Sequence, residues 1–329
     1  MSRIIRIHET GGPEVLKYEE VVLAAPGARE VIVDVKAIGI NRSESMFRSG
    51  RHIEPVVLPA RLGYEASGVV SAIGAEVENV KIGDAVSVIP PPSVTRWGAY
   101  GERVTFPAEY VVKHPSKLSW VEAAAVWMQY VTAYGGLIDL GGLIKGEAVV
   151  IVAASSSVGL AAIQIARAIG AVPIATTRTS EKKAALLDFG AQDVIVTDEE
   201  DLSERVKQIT GGEGARVIFD PVAGPAIESL ARALRMQGIL VSYGMLSHDP
   251  TPYPLFTSVA KGLTLRGFTF KEIVLDPVRR EKAKRFILDG LESGALGPKI
   301  DRVFAFDQMV EAHRYLETNQ QFGKIVVTV

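Results

Sequence analysis

A chain of 329 residues exceeds what one ordinary hydrophobic core supports, so two domains are expected. Hydrophobic residues make up 47% and charged residues 22%, and 36 basic against 38 acidic side chains leave a net charge of -2. That balance gives no electrostatic reason to expect nucleic acid or an anionic membrane as a partner. The absence of cysteine excludes disulfides, a thiol nucleophile and every thiolate-bound zinc or iron–sulfur site.

The opening MSRIIRIHETGGPEV has no apolar stretch of secretory-signal length, and no run is long enough to span a membrane. A cytoplasmic protein is therefore expected. The first 120 residues show strand patterns at 31–38, 68–73 and 84–89, separated by Gly- and Pro-containing turns with no βαβ rhythm. An antiparallel or barrel-like β domain is expected there. Ser119, with Glu122 three residues on, carries the signature of a capped helix start. From residue 149 strands and helices alternate. Strands are expected at 149–152, 173–176, 194–197, 217–219 and 239–243, with helices at 158–169, 181–189, 202–209 and 227–234. This pattern predicts a doubly wound parallel sheet with helices on both faces. Two more helices, 279–291 and 308–318, precede a last strand at 324–329, which is expected to return to the sheet of the first domain. The five histidines, His8, His52, His114, His248 and His313, include no pair at metal-ligand spacing and read as loop or surface residues.

The first strand of the alternating region runs through Ala153 and Ala154 into Ser155, Ser156, Ser157, Val158 and Gly159, then directly into a helix. Small residues at such a turn let a backbone approach phosphates, and the helix N-terminus offers unpaired N–H groups. Only one glycine of a G-x-G-x-x-G pattern is present, so the turn reads either as a pyrophosphate cradle or as tight packing. Its place at the first βα unit of a long series favours the cradle. A serine nucleophile finds neither an elbow motif nor a partnered histidine. The second strand ends in Thr177 and Arg178, with Lys182 shortly after. NAD-preferring sites carry an acid at this point, whereas Arg178 offers a charge-assisted fork to a 2′-phosphate. The other reading of Arg178 is a solvated residue beside a helix start.

Several strings in order now resemble the medium-chain dehydrogenase/reductase superfamily, in its zinc-free quinone oxidoreductase-like branch. They are Gly39-Ile40-Asn41-Arg42-Ser43-Glu44, Leu62-Gly63-Tyr64-Glu65-Ala66-Ser67-Gly68, Lys81-Ile82-Gly83-Asp84-Ala85-Val86, the turn at Gly159, Phe219-Asp220-Pro221-Val222-Ala223-Gly224 and Gly323-Lys324-Ile325-Val326-Val327. The resemblance runs from residue 11 to the end. It implies an α/β fold: a GroES-like β-rich catalytic domain from residues 1–126 and 268–329, with a Rossmann NADP-binding domain inserted at 127–267. It also implies NADPH as cofactor and a homodimer or homotetramer. Zinc-dependent relatives read Gly-Ile-Cys-Arg-Ser-Asp and then Gly-His-Glu, with a further cysteine beyond. Here Asn41, Tyr64 and Met128 stand at those three places, and such a trio makes no stable zinc site. No bound metal is expected.

By the same resemblance Arg42 reaches the cofactor pyrophosphate and Thr132 the nicotinamide. Tyr243, Gly244, Phe268 and Lys324 join the cofactor contacts, and Ser43 stands at the reacting oxygen. Ser43 and Thr132 could equally make ordinary local hydrogen bonds. Glu65 is expected to be a buried, paired structural carboxylate, and Asp220 to cap the turn that follows it. Without a Lewis acid, the fitting small-molecule substrate is one that spreads the incoming negative charge itself, a quinone or an α,β-unsaturated carbonyl. Neutral donors aimed at the developing oxyanion then suffice, and Tyr64, Ser43 and Asn41 are the candidates. Phe47, Trp97, Trp127, Tyr130, Met245 and Phe270 read either as walls of an apolar pocket or as core. Two other readings stay open: a zinc-free alcohol or carbonyl dehydrogenase, and a non-catalytic NADPH-binding sensor, RNA-binding or structural protein.

Overall fold

Glu30–Ile40 is the organising strand of the N-terminal region: eleven residues rich in Val and Ile, with Val31, Val33, Val35 and Ile38 buried. In the computed structural model, which describes residues 1–329, three other strands pair with it antiparallel: Glu65–Ile73, Arg103–Pro107 and Lys324–Thr328. The seven-stranded sheet also contains Ala85–Val88, Val111–Lys113 and Ile300–Ala305. A smaller three-stranded sheet joins Ser2–Ile7, Lys17–Val21 and Ala60–Arg61. The last strand does return to the first sheet, with Val326 opposite Gly39. Its four consecutive buried residues, Lys324 to Val327, fit a strand covered on both faces. The helix Arg42–Arg48 was not expected, being a single short segment between strands. The helix after Ser119 forms as expected, with Ser119 Oγ accepting from Glu122 N–H at 3.2 Å.

The second unit is a six-stranded parallel sheet in the order Asp193–Val196, Val172–Thr177, Ala148–Ile151, Ala215–Asp220, Leu234–Ser242, Thr264–Gly267. This is the doubly wound order, whose crevice lies at the carboxyl ends of the strands. Val150, Ile174, Ile195, Ile218 and Leu240 from five strands pack with Val206, Ile227 and Leu230 from two helices. Every expected strand and helix of this region is present, with ends shifted mostly by one or two residues. The sixth strand escaped notice because Thr264–Gly267 is short and only half-buried at Leu265.

The domain boundaries need correction. The chain divides into residues 1–128 with 297–329, and residues 129–296, so the second boundary lies well past 268. Helices Lys271–Val274 and Pro277–Ser293 belong to the second unit. Their apolar faces are buried (Ile273, Ala283, Ile287 and Leu291), the ring of Phe286 lies 5.3 Å from that of Tyr134, and Arg279 pairs with Asp139. An amphipathic helix announces that it has a buried face, not which unit will cover it. No helix is long and apolar enough to cross a membrane.

Candidate functional site

In the second unit the strand Ala148–Ile151 opens into a turn with Ala153 at φ 52, and the helix Ser157–Ala168 begins at once. Ser156 caps it, its Oγ accepting from Gly159 N–H at 3.1 Å. A Cβ on Gly159 would lie 2.5 Å from Ala154 O, so only glycine lets the helix start this close to the turn. Ser155, Ser157 and Val158 stay half-buried, and Lys182 Nζ lies 3.4 Å from Ser155 Oγ. Thr177 ends its strand half-buried, with Oγ1 donating to Thr179 O at 3.2 Å, and Arg178 beside it is exposed. Tyr243 stacks on Phe219 at 3.9 Å between centroids, and its buried hydroxyl faces the Ser156 side chain. Next to it, a Cβ on Gly244 would lie 2.5 Å from Pro221 O. Asp220 caps its own turn as expected, accepting from Val222 and Ala223 N–H at 2.8 and 2.9 Å. Burial pushes its carboxyl up, and those two N–H donors oppose the shift.

This end of the sheet combines a helix N-terminus, small side chains and the Lys182 ammonium beside Ser155. The set fits a dinucleotide phosphate. Thr132 is buried on the helix Trp127–Tyr134, and Phe268 is buried against Gly135.

In the first unit, residues from six segments form one buried polar cluster. Lys324 Nζ is ion-paired with Glu65 and donates to Asn41 Oδ1 at 2.6 Å, and all three residues are buried. Asn41 Nδ2 donates to Glu65 and Glu44 Oε1, each at 3.2 Å, and to Gly39 O at 3.3 Å. Glu65 Oε2 accepts from Met128 N–H at 3.0 Å. Glu44 accepts from the backbone N–H of Asn41 at 2.8 Å and of Tyr64 at 2.9 Å, and from the Tyr100 hydroxyl at 2.6 Å. Burial pushes the Glu44 carboxyl up, against the pull of these donors and of Lys324. Tyr100 Oη also lies 2.9 Å from His313 Nε2. Full burial, helped by Arg48 and Arg42, holds His313 neutral with a pKa lowered to about 3.

A zinc ion does not fit here. Asn41, at one of the three ligand positions, and the neighbouring Glu65 both give side-chain oxygens to the Lys324 ammonium. No group of three His, Asp or Glu side chains in the chain is arranged to hold a metal.

These contacts show what several of the expected site residues bind within the chain. Asn41 has no donor left for a substrate oxygen, because both amide atoms serve Glu44, Glu65 and Lys324. Lys324 is buried in its ion pair with Glu65. Arg42 is spent within its own unit, donating to Leu316 O at 2.6 Å and Asn319 Oδ1 at 2.5 Å. Trp127 is core, its Nε1 donating to Ser87 Oγ at 2.7 Å, and Tyr130 is core, its hydroxyl donating to Gln164 at 2.5 Å. Trp97 is half-buried beneath the Arg96 guanidinium, 4.4 Å from its ring centroid. Phe47 is fully buried, Phe270 is buried at the start of the helix Lys271–Val274, and Met245 is exposed. Two candidates keep a chemistry of their own. The Ser43 hydroxyl is buried with no hydrogen-bond partner. The Tyr64 hydroxyl, on a fully buried ring, lies 3.4 Å from His52 Nε2. Burial first, then Glu54 and Glu44, holds that phenol well above its usual range and so protonated. Glu44, Tyr100, His52 and His313 were missed. Glu44 three residues after Asn41 was legible as a capping box, but nothing local marks the other three.

A family model described as "Alcohol dehydrogenase GroES-like domain" matches residues 27–116, and one described as "Zinc-binding dehydrogenase" matches residues 157–286. "Quinone oxidoreductase 1" of Escherichia coli is 38% identical over 244 residues, 74% of this chain and 73% of the relative. "Quinone oxidoreductase" of Pseudomonas aeruginosa is 32% identical over 99% of both chains. The crystal structure of E. coli quinone oxidoreductase complexed with NADPH superposes with a TM-score of 0.89 over 100% of both chains at 32% identity. With the β unit, the doubly wound unit and these full-length likenesses together, the chain belongs to the medium-chain dehydrogenase/reductase superfamily, in its quinone oxidoreductase-like branch.

Proposed function

We propose that this chain is an NADPH-dependent oxidoreductase that reduces a quinone or an α,β-unsaturated carbonyl compound without zinc. The observation that carries the reading is the closed Asn41–Glu65–Lys324 cluster: Asn41, which stands in sequence where zinc-dependent relatives carry a ligand, gives its side-chain oxygen to the Lys324 ammonium. Bound NADPH supplies a hydride. Ser155, Ser156, Ser157, Val158 and Gly159 present small side chains and helix N–H groups to its pyrophosphate, and Tyr243 and Gly244 border the same end of the sheet. Thr177 leaves the second strand end without a carboxylate, so Arg178 and Lys182 receive the 2′-phosphate. Thr132 and Phe268 serve the nicotinamide end.

With no Lewis acid, the charge arriving on the substrate oxygen is met by neutral donors. Tyr64 is a phenol locked in its protonated form, and Ser43 is a hydroxyl with no competing partner. Conjugation lets such donors suffice, whereas a plain ketone would demand stronger polarisation. The test is turnover of quinones, enones and plain ketones with NADPH and with NADH, on protein whose metal content has been measured. Faster ketone than enone reduction, or stoichiometric zinc lost together with activity, would overturn the reading.

We further propose a homodimer. The helix Leu255–Lys261 exposes Leu255, Phe256 and Val259, and the strand Thr264–Gly267 that follows it is an open sheet edge. Light scattering should give twice the chain mass of 35.4 kDa, and a monomer would remove the proposal.

A further inference from the structure

We propose that Tyr243 is a positioning residue for the cofactor diphosphate: its phenol backs the Ser156 hydroxyl and turns the proton of that hydroxyl toward the bound phosphate. The inference rests on the NADPH reading above. Ser156 caps the helix Ser157–Ala168, and its Oγ accepts from Gly159 N–H at 3.1 Å. A hydroxyl oxygen has two lone pairs and one proton. The Gly159 N–H takes one lone pair, which leaves the second lone pair and the proton. The group beside them is the buried Tyr243 hydroxyl, which faces the Ser156 side chain and bonds to no other group of the chain.

Two hydroxyls that face each other have two arrangements. Either Ser156 donates to the phenol oxygen, or the phenol donates to Ser156 Oγ. Burial, and Asp220 after it, keep the phenol protonated. In the first arrangement the buried phenol proton has no acceptor, which costs free energy. In the second the phenol fills the remaining lone pair of Ser156, and the Ser156 proton is left to give. The N–H groups of the first helical residues, Ser157 and Val158, have no partner inside the helix. That proton therefore stands with two backbone donors at one helix end. A phosphate accepts from all three and also meets the positive end of the helix dipole. Donation by the phenol polarises the serine hydroxyl and strengthens it as a donor.

The surroundings fix both groups in these roles. The Tyr243 ring lies on Phe219 with the two planes only 19° apart, and the Tyr243 backbone N–H donates to Asp220 O at 2.9 Å. Ser156 is held by its capping bond and by its own backbone N–H, which donates to Ala153 O at 3.1 Å. Each hydroxyl can be removed with little else disturbed. Phenylalanine at 243 keeps the stacked ring. Glycine at 156 keeps most of the cap, because it costs a helix start far less than alanine does.

Titration with NADPH and with NADH, followed by nicotinamide fluorescence, tests this without turnover. Each variant is measured well below its own unfolding midpoint, so that a destabilised protein is still folded. Tyr243→Phe should weaken both cofactors by the same factor, about threefold to tenfold, because the diphosphate is common to both. Ser156→Gly should weaken both at least as much. In the Ser156→Gly background Tyr243→Phe should cost nothing further, since the two hydroxyls act as one unit. Unchanged affinity in either single variant would overturn the proposal. So would a loss confined to NADPH, which would place Tyr243 at the 2′-phosphate. A Tyr243→Phe loss that persists undiminished without the Ser156 hydroxyl would overturn it as well. A parent protein that binds neither cofactor would instead defeat the NADPH reading, and the proposal with it.

Discussion

The buried polar groups of the two units are used in opposite ways. In the first unit Asn41, Glu44, Glu65, Lys324 and Tyr100 satisfy one another, so each charge or dipole has its complement inside the cluster. In the second, the Ser155 to Gly159 turn keeps small side chains half-buried. Arg178 stands exposed there. A closed cluster resists rearrangement, because removing one member strands another in a low-dielectric interior. An open one has donors to give to a ligand. Damage to the first should read mainly as lost stability, and damage to the second as lost affinity.

The sharpest way to break this contrast is Lys324→Met. It leaves Glu65 buried without its cation, and removing one partner of a buried pair costs about 3–5 kcal/mol. Denaturant unfolding should show that loss, while the NADPH affinity of the remaining folded protein stays near that of the parent. The double variant Glu65→Gln/Lys324→Met should recover part of it. A folded, stable Lys324→Met protein with weakened NADPH binding would restore Lys324 as a cofactor contact.

Next in size is Arg178→Ala. A hydrogen bond to a charged group is worth roughly 1.5–3 kcal/mol, so NADPH should bind roughly tenfold to 150-fold more weakly. NADH binding and the unfolding midpoint should hardly move. Equal losses for both cofactors would mean that Arg178 supports the local structure and does not read the phosphate.

Tyr64→Phe tests whether Tyr64 serves as the donor to the developing oxyanion. Turnover of the best enone or quinone should fall about tenfold to a hundredfold, the low end for one oxyanion donor, with NADPH affinity unchanged because the effect belongs to the transition state. Near-full turnover would leave Ser43 as the donor.

The smallest effect at neutral pH belongs to His313. Its folded pKa is lowered to about 3 from 6.5, so between those values the unfolded chain binds the extra proton and the folded one does not. Stability therefore falls as the pH drops through 6.5 towards 3. Glu44, pushed up by burial, works in the opposite sense, so the quantity to measure is the difference between parent and His313→Gln. The variant should lose less stability than the parent on acidification from pH 7 to pH 5. Parallel curves would mean that His313 does not stay neutral in the folded protein.

Much of this was legible in the chain. Strand–helix alternation from residue 149, the Ser119 cap and the turn-capping role of Asp220 all rest on local patterns. Such patterns reflect side-chain period and backbone hydrogen bonding, which neighbouring residues dictate. The helices Lys271–Val274 and Pro277–Ser293 could not be assigned to their unit in that way, since an apolar helix face carries no address.

The polar site shows the same division more sharply. The sequence by itself determined the residue types: no cysteine, Asn41 and Tyr64 in place of zinc ligands, and Thr177 with Arg178 in place of an acid. It did not determine which of them keep a free donor. Lys324 is 259 residues from Glu65, and His313 is 213 from Tyr100. Only the folded chain brings these groups together. Whether Asn41 faces a substrate or an ammonium depends on partners supplied from distant segments. A hydrogen-bonding group has the same chemistry everywhere in the chain, but tertiary contacts decide what it is spent on.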